Sequence, residues 1–131
     1  MRRLGYVCLL IAAILGLALN ASAATRSTFT ITLTDRAIAT SPALPTGGDY
    51  TVMIKNHSSK PRGVEMTGVD RAGLTYVRYT KILPKGKSEM FRWFFPSTET
   101  VYIKDLLSCD HKSRTCVVVT FGGMRTSVRF K

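Results

Sequence analysis

The chain has 131 residues, with 19 Lys and Arg against 8 Asp and Glu, for a formal charge of +11. That length holds one ordinary domain with its own core and is too short for two. The basic balance favours anionic partners or surfaces, and only two histidines, His57 and His111, are present to serve catalysis.

The N-terminus runs Met1-Arg2-Arg3, then an apolar stretch from Leu4 to Leu19, then Ala21-Ser22-Ala23 before Ala24. Basic, greasy and small residues in that order read as a secretory signal, residues 1–23, cleaved after Ala23. Cys8 leaves with it. The domain at 24–131 then has 108 residues and a formal charge of +9, since the signal carries two arginines and no acid. No second apolar stretch is long enough to span a membrane. The expected location is the periplasm or the exterior.

From there the chain punctuates like an all-β domain. Ser27 to Asp35 alternates, with Phe29, Ile31 and Leu33 on one face and threonines on the other, which predicts a half-buried strand. Ser41-Pro42 through Gly47-Gly48-Asp49 breaks it. Tyr50 to Asn56 alternates again, and the polar run from Asn56 to Pro61 forms a loop in which His57 needs no function. Short strands are expected at Gly63 to Thr67 and Thr75 to Ile82.

Leu83-Pro84-Lys85-Gly86-Lys87 is a turn signal, after which Ser88 to Phe95 presents Phe91, Trp93 and Phe95 as a core face. Thr100 to Lys104 and Cys116 to Phe121 supply two more strands, and Thr126 to Phe130 adds a last one beyond the Gly122-Gly123 break. About seven or eight such strands predict a Greek-key β-sandwich or barrel.

Two cysteines remain after export, Cys109 and Cys116, with His111 between them. In an oxidising compartment a close pair of this kind is expected to form a disulfide, although the spacing also admits a metal site. Closing so short a loop stabilises by roughly 2 to 3 kcal/mol through the unfolded chain.

The order of these pieces resembles the cupredoxin family. Gly48 to Asn56 resembles its "G-x-Y-x-h-x-h-x-N" strand, and Leu83-Pro84-Lys85-Gly86-Lys87-Ser88 is similar to its "L-x-P-G-x-S" turn. Val101-Tyr102-Ile103 and a closing His111 before a valine-rich strand complete the pattern. The resemblance implies a cupredoxin-like sandwich. The blue-copper members hold copper with two His, a Cys and a weak axial sulfur. By the surrounding pattern the first His position falls at Arg62, and the Cys position at Lys104, or at Cys109 if the loop is longer. His111 matches the second His, and Cys116 stands where Met is usual. An arginine keeps its proton and a protonated lysine has no lone pair, so this set does not build a blue-copper centre.

A nearer resemblance is to the EfeO-type cupredoxin-like domains of periplasmic iron-import proteins, echoed in Glu65, in Tyr102 with Asp105, and in Asp110-His111. It implies a metal-handling context. The expectation is therefore an exported, monomeric binding or accessory module, not an enzyme, with no bound cofactor. The alternative is a copper- or iron-delivery protein using His111 with Glu65, Asp105 and Asp110. Lys60, Arg62, Lys104, Lys112 and Arg114 fall in the segments that converge at the metal-holding end of such a fold. They are expected there as an electropositive patch for an acidic protein or an anionic surface. Export argues against nucleic acid.

Overall fold

The alternating segments resolve into two β-layers in the computed structural model, which describes residues 26–112 and 115–131 and, within them, all side chains except those of 111, 112, 115, 117 and 118. The expected export signal at 1–23 and Arg114 lie outside the described residues, as do the side chains of His111 and Lys112. The strands are β1 (Ser27–Leu33), β2 (Ile38–Ser41), β3 (Gly48–Asn56), β4 (Gly63–Val69), β5 (Thr75–Tyr79), β6 (Ser88–Phe95), β7 (Thr100–Lys112) and β8 (Thr115–Arg129). One sheet has the order β2-β1-β3-β6 and the other β5-β4-β7-β8, so the chain is an all-β sandwich. Among the described residues no helix is long and apolar enough to cross a membrane.

The core follows directly from the period-two pattern. β1 and β3 pair in parallel with Phe29 beside Val52 and Ile31 beside Ile54, so both strands turn the same apolar set inward. Val64, Met66, Val101 and Ile103 of the second sheet meet them, all fully buried. Each such side chain contributes on the order of 1.5–3 kcal/mol by leaving water. One end of the sandwich is closed by Phe29, Tyr50, Phe95 and Phe130, with the last two stacked at 4.2 Å between ring centres. The Tyr50 hydroxyl leaves this cluster by donating to the Thr46 carbonyl at 2.8 Å.

Three readings need correction or completion. Ile38–Ser41, unassigned from the sequence, forms a short edge strand, β2, antiparallel to β1. Gly122-Gly123 does not end a strand. It lies inside β8, where Lys104 pairs with Arg125 and Leu106 with Phe121, so Asp105 alone faces three residues of the opposite strand. That bulge bends one long strand instead of dividing it.

The third correction concerns the aromatic face of β6. Phe95 is fully buried, but Phe91 and Trp93 are only half-buried, because β6 is an edge strand and its inner face reaches the rim of the sandwich. There Arg78 from β5 lies over both rings, at 3.9 and 5.1 Å from their centres, and Tyr76 packs on Trp93 at 4.8 Å. Both rings still pack against the core, and cation–π contact covers their remaining surface at this seam.

Candidate functional site

Opposite the aromatic end, the loops after β1, β3 and β5 converge, and their geometry begins with Asn56. This residue is fully buried at the end of β3. Its amide donates to the carbonyls of Lys60 and Leu83 at 2.8 and 2.7 Å, and its carbonyl oxygen accepts from the Ser58 backbone N–H and hydroxyl. One side chain therefore satisfies the 56–60 loop and ties it to the turn before β6. The loop's outer side is held by Asp35, whose carboxylate accepts from the Ser59 N–H and hydroxyl, each at 2.7 Å. The backbone donor, then the hydroxyl, holds this carboxyl below its ordinary range.

The clamped loop delivers Arg62 inward. Arg62 is 8% exposed and forms an ion pair with Asp105 of β7, which is 0% exposed. Asp105 sits opposite Val64 in register and so shares the inner face, while its second oxygen accepts from the Met124 N–H at 2.7 Å. The β8 bulge is built around this carboxylate. A Cβ on Gly122 would collide with both Asp105 and Arg62, and Gly123 takes φ +92 to turn the strand back. Two oppositely charged residues, one from the loop before β4 and one from β7, thus plug this end of the core.

Glu65 occupies a different place. It faces Tyr79 and Lys104 across its two neighbouring strands, on the outer face of the second sheet, with the Lys104 ammonium at 3.4 Å. Burial, and then the adjacent Glu65 charge, push the Tyr79 hydroxyl up. Glu65 and Asp105 therefore project from opposite faces of one sheet.

Of the expected metal set, Glu65, Asp105 and Asp110 have described side chains, and these three lie apart. Glu65 and Asp105 are separated by the sheet, Asp105 is committed to Arg62 and Met124, and Asp110 is exposed far along β7. His111 occupies a β7 position whose side chain lies outside the described residues. Among the described residues no three His, Cys, Asp or Glu side chains cluster as a metal site.

Of the expected basic patch, the structure describes the side chains of Lys60, Arg62 and Lys104. Arg62 is buried in an ion pair and unavailable to a partner, and Lys104 lies on a sheet face, paired with Glu65. Lys60 is exposed in the clamped loop, while the placement of the Lys112 and Arg114 side chains lies outside the described residues.

Cys109 and Cys116 are disulfide-bonded, with their Cα atoms 5.6 Å apart. The bond lies diagonally across the β7–β8 hairpin, since Cys109 faces Val119 and Cys116 faces His111. Beyond Leu106, β7 pairs with β8 alone, so the hairpin extends past the rest of the sheet by about 20 Å at ordinary strand rise.

One arrangement escaped the sequence. On the outer face of the second sheet, an open groove of about 630 Å³ is lined by Thr67, Tyr102, Lys104, Arg125 and Ser127 among others. A smaller recess of about 170 Å³ adjoins it, sharing Lys104 and Arg125 and bounded by Phe121. The signal was present in Arg125, Ser127 and Arg129, which alternate with Val128 and Phe130 and so had to face outward from a strand.

No family model matches the chain, and no curated protein matches it significantly. Among solved structures, dithionite-reduced auracyanin from the photosynthetic bacterium Roseiflexus castenholzii is similar to it, with 18% identity and a TM-score of 0.47, over 80% of this chain and 97% of that chain.

Proposed function

We propose that this protein is an exported binding or accessory module, built on a cupredoxin-like sandwich whose metal-holding end is occupied by an ion pair. The observation that carries this reading is the contact between Arg62 and Asp105. By the sequence pattern Arg62 stands at the first His position of a blue-copper site and Asp105 directly follows the Cys position. These two neighbourhoods meet in space, as ligand segments should, but they meet as guanidinium and carboxylate. A cation fixed between the sheets repels a second one, and both carboxylate oxygens are already engaged.

The disulfide supports the same reading, since oxidation leaves Cys109 and Cys116 without the thiolate that soft metals need. The module acts by binding and not by catalysis, in the periplasm or outside the cell, on a partner complementary to its positive charge.

Metal analysis and copper titration of the purified protein test this. The expected result is neither copper nor iron at stoichiometric level and no intense thiolate-to-copper absorption. A tight one-to-one site, lost in His111→Ala, would instead establish the metal-delivery reading with His111, Glu65, Asp105 and Asp110.

A further inference from the structure

We infer that the outer face of the β5-β4-β7-β8 sheet is a docking surface for an acidic, extended protein segment bearing a large apolar side chain. The inference deepens the reading of this protein as a binding module and locates the surface on the outer side of the sheet, whose inner side carries the ion pair.

Four observations converge on it. The groove and its adjoining recess meet at Lys104 and Arg125. At their far ends stand Tyr102 and Phe121, 57% and 43% exposed. Arg125 and Arg129 form no ion pair among the described residues, whereas Glu65, a carboxylate on this face, is covered and taken by Lys104. Lys104 in turn lies 5.2 Å from the Phe121 ring centre, which holds its ammonium at the boundary of the two depressions.

Charge complementarity selects the occupant. Unpaired guanidinium groups beside half-exposed aromatic rings suit a carboxylate flanked by an apolar side chain, since Arg binds carboxylates with two parallel hydrogen bonds and aromatic rims supply area at little entropic cost. The rows Tyr102–Ser127 and Lys104–Arg125 and the pair Leu106–Phe121 span about 13 Å along the strands, room for about four extended residues. The surface is concave, so it receives a protruding side chain, whereas a bilayer needs a convex or flat basic face. A nucleic-acid backbone would call for a longer row of unpaired cations.

The test uses the whole protein and an alternating glutamate–tyrosine octapeptide, with the lysine–tyrosine octapeptide as control. Amide shifts should concentrate at Tyr102, Lys104, Arg125 and Ser127, and binding should weaken several-fold when salt rises from about 50 to about 200 mM. Arg125→Glu should weaken binding about tenfold or more, while Arg92→Glu, an exposed charge change on the other sheet, should change it less than about twofold. Tyr102→Ser should also weaken it without changing the salt dependence.

Equal loss in the two charge variants, or shifts scattered over all basic residues, would overturn the inference. So would phosphatidylglycerol vesicles or a single-stranded oligonucleotide perturbing these residues when the acidic peptide does not. A stoichiometric copper site would sink the functional reading but leave this map intact, so the two failures are distinguishable.

Discussion

Asp105 shows how much one buried carboxylate can organise. It neutralises Arg62, accepts from Met124 and obliges Gly122 to remain without a side chain. Asp105→Ala should therefore cost about 3–5 kcal/mol in denaturant unfolding, because it strands a buried guanidinium. The double variant Arg62→Met/Asp105→Asn should recover most of that loss, since the charge goes while the Met124 N–H keeps an acceptor. A double variant as unstable as the single one would mean that the pair is worth more than its desolvation. Gly122→Ala, which adds only a methyl, should cost about 1–3 kcal/mol by forcing the bulge off the ion pair. Thermal melts of this variant beside Gly73→Ala, a turn glycine at φ +79 with open space around it, separate close approach from backbone strain.

At the same scale, Tyr76 offers a pH signature. Neither its hydroxyl nor the Trp93 indole N–H meets hydrogen-bond geometry with a described group, although the indole lies close enough to temper the shift. Burial raises the phenol to about 12 from an ordinary 10.0. The neutral phenol is the form the fold prefers, so its contribution is full below about pH 10 and is lost as pH climbs through 12. In an absorbance titration one tyrosine should ionise last, and Tyr76→Phe should abolish that step with stability unchanged or raised.

Among the elements, the β7–β8 hairpin is the one most dependent on a covalent tie. Past Leu106 it pairs with no third strand among the described residues, and an isolated two-stranded ribbon is marginal in water. The Cys109→Ser/Cys116→Ser variant should lose about 2 to 3 kcal/mol. Amide exchange should rise in the 107–121 stretch and stay slow in β3 and β4. Uniform loosening of all strands would mean that the arm is coupled to the core more tightly than its pairing indicates.

The elements also mark where the sequence was legible. Strands whose apolar residues alternate over a complete run, such as Phe29-Ile31-Leu33 and Tyr50-Val52-Ile54, were readable because burial on one face dictates period two. Edge positions were not. Ile38–Ser41 is too short to show a period, and Phe91 and Trp93 look like core until Arg78 is known to cover them from the facing sheet. The site was legible in its convergence and illegible in its chemistry. The sequence pattern brought Arg62 near residue 104, but a bulge placing Asp105 rather than Lys104 inward leaves no local signature beyond two adjacent glycines.

For the whole molecule, charge is distributed by layer as much as by end. Of the cations expected to cluster at the loop end, Arg62 turned inward to a carboxylate, while Arg125 and Arg129, outside that expected set, stand exposed on a sheet face with no ion pair among the described residues. A protein whose positive field lies over a broad strand surface can attract a partner over a Debye length of about 8–10 Å and then leave selection to the aromatic rims.

The pairing pattern also sets an order of events in time. β1 must find β3, β3 must find β6, and β4 must find β7, each across a long intervening stretch, whereas β7 and β8 are neighbours in sequence and pair up to Lys112 and Thr115. Pairings that close long loops are slow to nucleate, so the hairpin is the natural seed, and the Cys109–Cys116 bond keeps that seed half-formed in the unfolded chain. Reduction should then show itself mainly as slower refolding, by about ten- to a hundredfold for about 2 kcal/mol, with the unfolding rate nearly unchanged. Stopped-flow chevrons of the oxidised and reduced protein would decide it, and a change confined to the unfolding limb would place the hairpin late on the route.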